Sequence, residues 1–448
     1  MTDNAQLELR TGLSPAGRVA AVKAAMPVGG MFAGKEWRIS PDPFVLTKRE
    51  HKELGKLGYR LWRFVQACDL IFRWSQQGKA PGWVASLLSA GKPKWMTDLA
   101  AEKGMVNQFP RVLRPDLVLT DDGFAMSELD SVPGGIGLLG WMNCTYAALG
   151  EDVIGGKNGM IDGFASLFPD GAEILVSQES ADYRPEMEWL ADELNALGGG
   201  RFTVQNAEGA KVASGRDVYR FFELFDVENI AGSRELAQRA AAGEVRISAP
   251  VKPWIEEKLW LALFWSAPLR EIWAKAMRRN HWEGLSKVIP YGWVVDPTPL
   301  PPHAVLPRLE VQSWDEVKKF SQSERELVLK ISGFDDTAWG SRGVKIGHDI
   351  SSGEWSAALD DALGAFENHP HILQRFHKGR LVKHQFWNEQ RGEVEIMDAR
   401  VRLTPYYFIS RAGDEVSLGG VHATICPADK KILHGMTDAV MVPCVLGE

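Results

Sequence analysis

Two short segments that alternate apolar and polar residues, joined by a tight turn, constrain the fold of this chain more than any other feature. Between residues 111 and 131, leucines alternate with polar residues, and Asp121-Asp122-Gly123 then turns the chain into the segment 124–130. Alternation with a period of two is typical of strands, and a three-residue hairpin loop favours glycine at its last position, where the backbone becomes left-handed. We therefore predict a β-hairpin in which Thr120 pairs with Phe124.

This register gathers four charged side chains on one face of the hairpin. Because the positions of antiparallel partners have a constant sum, Asp116 lies opposite Glu128 and Arg114 lies opposite Asp130. Three neighbouring carboxylates repel one another unless a cation lies among them, and such hard oxygen ligands suit Mg²⁺ that carries ATP phosphates. The alternative is a solvated hairpin face with a surface Arg–Asp pair. The glycine-rich run 131–137 favours a ligand site, because it lets the backbone approach a bound molecule closely.

The hairpin resembles the Mg²⁺-binding hairpin of glutathionylspermidine synthetases and related circularly permuted ATP-grasp ligases. The likeness rests on an Arg-x-Asp sequence followed, twelve residues after its Asp, by Glu-x-Asp. It implies an α/β (α+β) chain with a circularly permuted ATP-grasp fold, an open α/β pre-ATP-grasp domain, and ATP and Mg²⁺ as cofactors. By the same resemblance Asp116, Glu128 and Asp130 are metal ligands and Arg114 is catalytic. The family usually has Asn at the position of Asp130, so this chain keeps an oxygen ligand but adds a negative charge.

The second half of the chain contains candidates for the phosphate site that the resemblance implies. Lys330 ends the apolar segment 327–330, and Gly340, Arg342 and Gly343 follow in a loop. Backbone N–H groups in such a loop can bind phosphate oxygens. The alternative is a surface lysine whose stem packs on apolar neighbours, followed by unremarkable loop glycines.

Four further residues complete the predicted nucleotide site. Gln374 and Phe376 belong to a segment that resembles the adenine-contacting strand of the family, and Lys258 resembles the lysine at the cleft entrance. Lys258 could equally be the helical i,i+4 partner of a nearby carboxylate. Arg402 shares a strand face with a second arginine and could reach the γ-phosphate, or it could lie on a plain surface strand.

Periodicity predicts several elements and three regions along the chain. An amphipathic helix is predicted over 49–77, and a strand, a helix and a strand over 174–204 indicate a small open α/β unit. The proline-rich segment 289–307 is interpreted as a linker or a long connection between domains. We expect 1–150 to hold an N-terminal helical region and the metal hairpin, 151–300 the pre-ATP-grasp substrate domain, and 301–448 the nucleotide-binding lobe.

Composition limits the classes of partner. Fifty-one basic residues against 58 acidic ones give a net charge of −7, which argues against nucleic acid or an anionic membrane as the main partner. The four cysteines lack the spacing of a zinc site or a disulfide framework. Because neither a signal-peptide pattern nor a run of about 18 apolar residues is present, we expect a cytoplasmic protein.

The resemblance implies a reaction that joins a small-molecule carboxylate to an amine. The carboxylate attacks the γ-phosphate of ATP, and the amine then displaces phosphate from the acyl phosphate, as in an ATP-dependent carboxylate–amine (C–N) ligase. Two alternatives stay open: a non-ligating ATP-binding regulatory or assembly protein, and an ATP-dependent phosphotransferase. Neither the substrates nor the oligomeric state can be inferred from the residues.

Overall fold

The computed structural model describes residues 12–26, 37–198, 200–338, 342–412, 414–435 and 438–447. Its α-helices are α1 Pro15–Ala25, α2 Lys48–Gln76, α3 Trp83–Ser89, α4 Lys94–Ala101, α5 Ile136–Ala148, α6 Gly159–Leu167, α7 Arg184–Ala196, α8 Ser233–Ala241, α9 Leu259–Leu263, α10 Arg270–Met277, α11 Arg279–Leu285, α12 Trp314–Val317 and α13 Ser352–Gly364. Its strands are β1 Phe44–Leu46, β2 Val112–Leu119, β3 Phe124–Asp130, β4 Glu173–Val176, β5 Thr203–Asn206, β6 Asp217–Phe221, β7 Arg246–Ser248, β8 Gly292–Val294, β9 Leu327–Ile331, β10 Val344–Ile346, β11 His371–Arg375, β12 Val382–Asn388, β13 Glu393–Ile409, β14 Val416–Pro427 and β15 Val440–Leu446.

These strands form three sheets, so the predicted mixed α/β class is confirmed. The largest has the order β1-β15-β14-β13-β2-β3, with β12 also paired to β13. A second sheet has the order β10-β9-β11-β8 and is antiparallel. The third has the order β5-β4-β6-β7 and is parallel, which confirms the open α/β unit predicted from the strand, helix, strand pattern.

Helix α2 covers the large sheet and confirms the predicted amphipathic helix. A capping box between Thr47 and Glu50 starts it, satisfying backbone N–H groups that a helix leaves free at its first turn. Gly58 lets the helix lie against β13, because a Cβ there would come within 2.3 Å of the Tyr407 ring. The Tyr407 hydroxyl donates to the Leu54 carbonyl at 2.7 Å, which anchors the same contact.

The hairpin of β2 and β3 forms, but its turn differs from the predicted one. Thr120 exchanges hydrogen bonds with Gly123 and not with Phe124, so the loop has two residues and the predicted Thr120–Phe124 pair is wrong. A bulge at Ser127 then shifts the register by one residue. The two differences cancel, and the predicted pairs Arg114–Asp130 and Asp116–Glu128 are confirmed.

The proline-rich segment 289–307 is not simply a linker. It contains β8, which pairs with β11 and so forms an edge of the second sheet. Trp293 in that strand donates from its indole N–H to the Pro307 carbonyl at 2.9 Å. Because prolines lie on either side of it, this three-residue strand could not be predicted from periodicity.

No helix within the described ranges is both long and apolar enough to cross a bilayer.

Candidate functional site

A cleft of about 1200 Å³ opens between the three sheets. Its walls include Arg402 from β13, Lys330 from β9 and Phe221 from β6. The four charged residues of the hairpin line it as well. The fold therefore brings together segments that lie far apart in the sequence.

Arg114 forms the centre of a charged row on the hairpin. Its guanidinium lies 3.2 Å from a carboxylate oxygen of Asp116 and 3.2 Å from one of Asp130, and it donates to the Gly134 carbonyl at 3.2 Å. Burial alone would lower the pKa of Arg114, but the two carboxylates raise it well above its usual value. Arg114 is therefore a fixed positive charge at the cleft wall.

Asp116 is held between two arginines. Arg402 donates to it at 3.0 Å from β13, so the predicted nucleotide residue Arg402 meets the hairpin directly. Burial would raise the pKa of Asp116, yet Arg114 and Arg402 together lower it. Burial instead prevails at Asp130, whose pKa is raised despite Arg114. The two carboxylates of the row therefore differ in their affinity for protons.

Two lysines face the hairpin from the other side of the cleft. Lys258 lies 2.7 Å from the Glu128 carboxylate and donates to the Ala338 carbonyl at 2.8 Å. Its partner is thus a hairpin residue and not a neighbour on its own helix. Burial would lower the pKa of Lys258, but Glu128 reverses that effect and the pKa is raised.

Lys330 is the more deeply buried of the two lysines. Its ammonium group donates to the Ser127 carbonyl at 2.8 Å and to the Gln374 side-chain oxygen at 3.0 Å. Burial lowers the pKa of Lys330 to about 8, although Glu128 opposes the shift. The bulge at Ser127 turns this carbonyl toward the lysine, so the hairpin irregularity contributes directly to the site.

The predicted adenine strand lines the same cleft. Gln374 is buried next to Lys330 on β11, and its amide donates to the Met126 carbonyl at 3.4 Å. Phe376 lies just beyond β11 and contacts His348 edge to face, with ring centroids 4.7 Å apart. Both residues are lining residues of the cleft.

The glycine loop after β9 is described only in part. Gly340 lies outside the described residues. Gly343 packs against the protein itself, because a Cβ there would come within 2.7 Å of the Ile331 side chain. Glu179 lies on the cleft wall, and burial together with Asp226 raises its pKa. Arg342 offsets part of that rise.

The glycine-rich bend 131–137 also serves internal packing, which differs from the expected approach to a ligand. A Cβ on Gly134 would lie 2.3 Å from the Tyr183 ring, and one on Gly135 would lie 2.5 Å from the Tyr406 hydroxyl. Gly135 has a φ of 89°, which favours glycine for a second reason. The protein's own tyrosines therefore fill the space that these glycines leave.

Three residues of the cleft region escaped the sequence analysis: Arg220, Glu223 and Glu256. Arg220 is fully buried, forms an ion pair with Glu256 and donates to the Ala249 carbonyl at 3.0 Å. Burial, together with Glu256 and Asp130, raises the pKa of Glu223 to about 8. An arginine inside an apolar strand was the available signal, because a buried charge requires a partner.

The donor chemistry of the hairpin fits Mg²⁺ only if other ligands contribute. Among the residues that the structure describes, no group of three or more His, Cys, Asp or Glu side chains could hold a metal ion. One buried oxygen of Asp116 accepts no hydrogen bond, although the Arg114 guanidinium lies 3.2 Å from it. Mg²⁺ is usually bound by one or two carboxylates together with substrate phosphates, and the hairpin suits that arrangement.

Comparison with known proteins identifies a shared fold but no family. No protein-family model matches the chain, and no curated protein matches it. A glutathione synthetase-like effector from Globodera pallida matches with a TM-score of 0.56 and 10% identity, over 98% of each chain. The two proteins share a fold. A provisionally named gamma-glutamylcysteine synthetase from Methylobacillus flagellatus KT also matches, with 12% identity over 88% of this chain and 87% of the other; its TM-score of 0.39 is too low to support an argument.

Proposed function

We propose that this protein is an ATP-dependent carboxylate–amine ligase with a circularly permuted ATP-grasp fold. The observation that carries the proposal is the pairing of two sets of charges across one cleft. Arg114 and three carboxylates lie on the hairpin, and Lys258 and Lys330 contact that hairpin from the opposite side. The shared fold with a glutathione synthetase-like protein supports the same class of chemistry.

In this proposal the two lysines hold the phosphates and the strand at Gln374 and Phe376 contacts adenine. Residues 301–448 then form the nucleotide-binding lobe, and 151–300 the substrate domain. Lysine ammonium groups near carbonyl oxygens can exchange those partners for phosphate oxygens without changing their charge. The hairpin precedes this lobe in the chain, which is the order expected of a permuted ATP-grasp protein.

One or two of the carboxylates of Asp116, Glu128 and Asp130 would hold Mg²⁺, with phosphate oxygens as its further ligands. A bound Mg²⁺ would neutralise charge on the β- and γ-phosphates. Arg114 would stabilise negative charge on the reacting acyl group, because it is already fixed between two carboxylates and needs no reorganisation. Transfer of the γ-phosphoryl group to the carboxylate substrate releases ADP, and attack by the amine releases phosphate and leaves an amide. We place this reaction in the cytoplasm with small-molecule substrates.

The test is release of ADP that depends on substrate. Purified protein is incubated with MgATP and pools of amino acids, peptides and polyamines, and products are identified by mass spectrometry. A ligase gives ADP, phosphate and an amide; a phosphorylated product identifies a phosphotransferase. Nucleotide binding without turnover in any pool would favour the regulatory or assembly protein.

Variants tie any activity to the hairpin. Glu128→Ala is expected to abolish ADP release while leaving the fold intact, since it removes a half-exposed side chain from the cleft wall. Asp98→Ala is the matched control, because that carboxylate pairs with Lys94 on the surface. Undiminished turnover in Glu128→Ala would contradict the proposed metal role.

A further inference from the structure

The loop between α3 and α4 connects the N-terminal region to the cleft through a buried ion pair. Lys92 lies 2.6 Å from Glu257, and each side chain is 1% exposed. The two residues are far apart in the sequence, and Glu257 directly precedes the cleft lysine Lys258. A pair of charges removed from water this completely is costly unless both partners stay in place.

Glu257 in turn fixes the backbone around Lys258. It accepts a hydrogen bond from the Ser332 hydroxyl, and that hydroxyl accepts one from the Leu259 N–H at 2.9 Å. The Lys258 N–H donates to the Ser332 carbonyl at 3.2 Å. Ser332 follows β9, the strand that carries Lys330, so one small network joins the two lysines of the cleft.

Close packing holds the same loop against the nucleotide lobe. Gly91 adopts a φ of 67°, and a Cβ there would lie 2.0 Å from the Asn368 carbonyl oxygen. The Lys92 ammonium group also lies 5.6 Å from the centroid of the Phe334 ring, which belongs to the loop after β9. The loop 90–93 therefore contacts Glu257, the loop after β9 and the segment just before β11.

We propose that Lys92 is a positioning residue that fixes Lys258 and the end of β9 in the geometry that nucleotide binding requires. The proposal gives the N-terminal region a role in shaping the cleft. It rests on the proposed function in one respect, namely that the ligand of the cleft is a nucleotide. Lys92 does not line the cleft, so it acts through Glu257 and Ser332.

The first measurement is MgATP affinity by calorimetry. Lys92→Met is expected to weaken binding by about tenfold to a hundredfold, the scale on which small displacements of binding groups act. Lys94→Met is the matched control, because the Lys94 side chain is 86% exposed and pairs with Asp98 at the surface. The MgATP affinity of this variant should not change.

A double variant separates positioning from simple charge balance. Lys92→Met combined with Glu257→Gln removes both buried charges, so the melting temperature should recover relative to Lys92→Met. Nucleotide affinity should stay weak, because the tie between the loop and Glu257 is still missing. Recovery of affinity together with melting temperature would overturn the positioning role.

Hydrogen exchange decides the inference without any nucleotide. Lys92→Met should speed amide exchange in residues 256–261 and 331–334, and Lys94→Met should not. Unchanged exchange in Lys92→Met would refute the inference even if the wild-type protein binds MgATP. If the wild-type protein binds no MgATP, the proposed function fails, while faster exchange would still support the positioning role.

Discussion

Raising the pH through 8 should weaken MgATP binding, because Lys330 then loses its proton. Burial lowers the pKa of this lysine to about 8, and its ammonium group is held by two oxygen acceptors, the Ser127 carbonyl and the Gln374 side chain. A bound phosphate would raise that pKa again, since an opposite charge nearby favours the protonated lysine. Protonated protein therefore binds the nucleotide more tightly, and affinity falls as the pH rises above 8.

The size of the effect follows from the two protonation states. If the pKa returns to the ordinary lysine value in the complex, affinity falls about 22-fold between pH 7.5 and 9.5, or roughly 1.8 kcal/mol at 1.36 kcal/mol per tenfold change. Phosphate groups are ionised throughout this range, because their second pKa is about 6. The change in affinity with pH therefore reflects ionisation of protein groups and not of the phosphates.

Calorimetric titration of MgATP at several pH values measures this slope, and two variants identify its origin. Lys330→Met should bind weakly at all pH values and lose most of the slope. Glu223→Gln controls for the other cleft group with a pKa of about 8, whose ionisation would also repel phosphate. A flat profile in the wild-type protein, or an unchanged slope in Lys330→Met, would refute the assignment of Lys330.

Three further predictions concern stability and can be measured by thermal or chemical denaturation. Arg114→Met leaves the partly exposed Asp130 without its cationic partner and leaves Asp116 with Arg402 alone, so it should destabilise the fold by about 1–3 kcal/mol; a loss under about 0.5 kcal/mol would contradict the charged row. Gly135→Ala should destabilise more than Gly156→Ala, because both have a positive φ but only Gly135 faces an atom, a tyrosine hydroxyl, within 4 Å; equal losses would point to backbone strain alone. Lys252→Met should lower the free energy of unfolding less than Asp69→Ala does. Burial already lowers the pKa of Lys252 to about 8, whereas Asp69 also accepts hydrogen bonds from an arginine and a tryptophan. The reverse order of the two losses would contradict this account.

Elements with strong local periodicity could be predicted from the sequence. Helix α2 lies within a residue of its predicted bounds, and β9 extends the apolar segment 327–330 by one residue, because the buried residues of each element follow one another locally in the sequence. The short strand β8 could not be predicted in this way. Its three residues are stabilised by pairing with β11, about 80 positions later, and the prolines on either side of it obscure any local strand pattern.

The hairpin demonstrates how a correct register can follow from an incorrect account of the turn. The register at Asp116 was predicted from a three-residue loop, whereas the structure combines a two-residue loop with a bulge at Ser127. Turn residues constrain the loop, but the bulge depends on distant contacts. Val288 accepts the Met126 N–H at 2.8 Å and Lys330 binds the Ser127 carbonyl, and neither partner is visible in the local sequence.

Contacts between distant segments depend on tertiary structure and could be predicted only in part. Lys258 was a candidate through a resemblance and Arg402 through a shared strand face, but nothing in the sequence linked them to Glu128 and Asp116, which lie far away in the chain. Glu223 was missed altogether, because its unusual pKa arises from neighbours on other segments. Pairing of charges across a cleft is set by how sheets pack, and local patterns carry no information about it.

The balance of charge in the cleft bears on which form of the nucleotide it can accept. The three hairpin carboxylates already have cationic partners in Arg114, Arg402 and Lys258. A triphosphate that draws Lys258 toward itself deprives Glu128 of that partner, and an unpaired carboxylate beside phosphates in a partly buried cleft is costly. A divalent cation that arrives with the phosphates restores the balance and uses the carboxylate as a ligand. Under the proposed function this balance favours MgATP over free ATP, with the phosphates supplying the metal ligands that the described side chains lack.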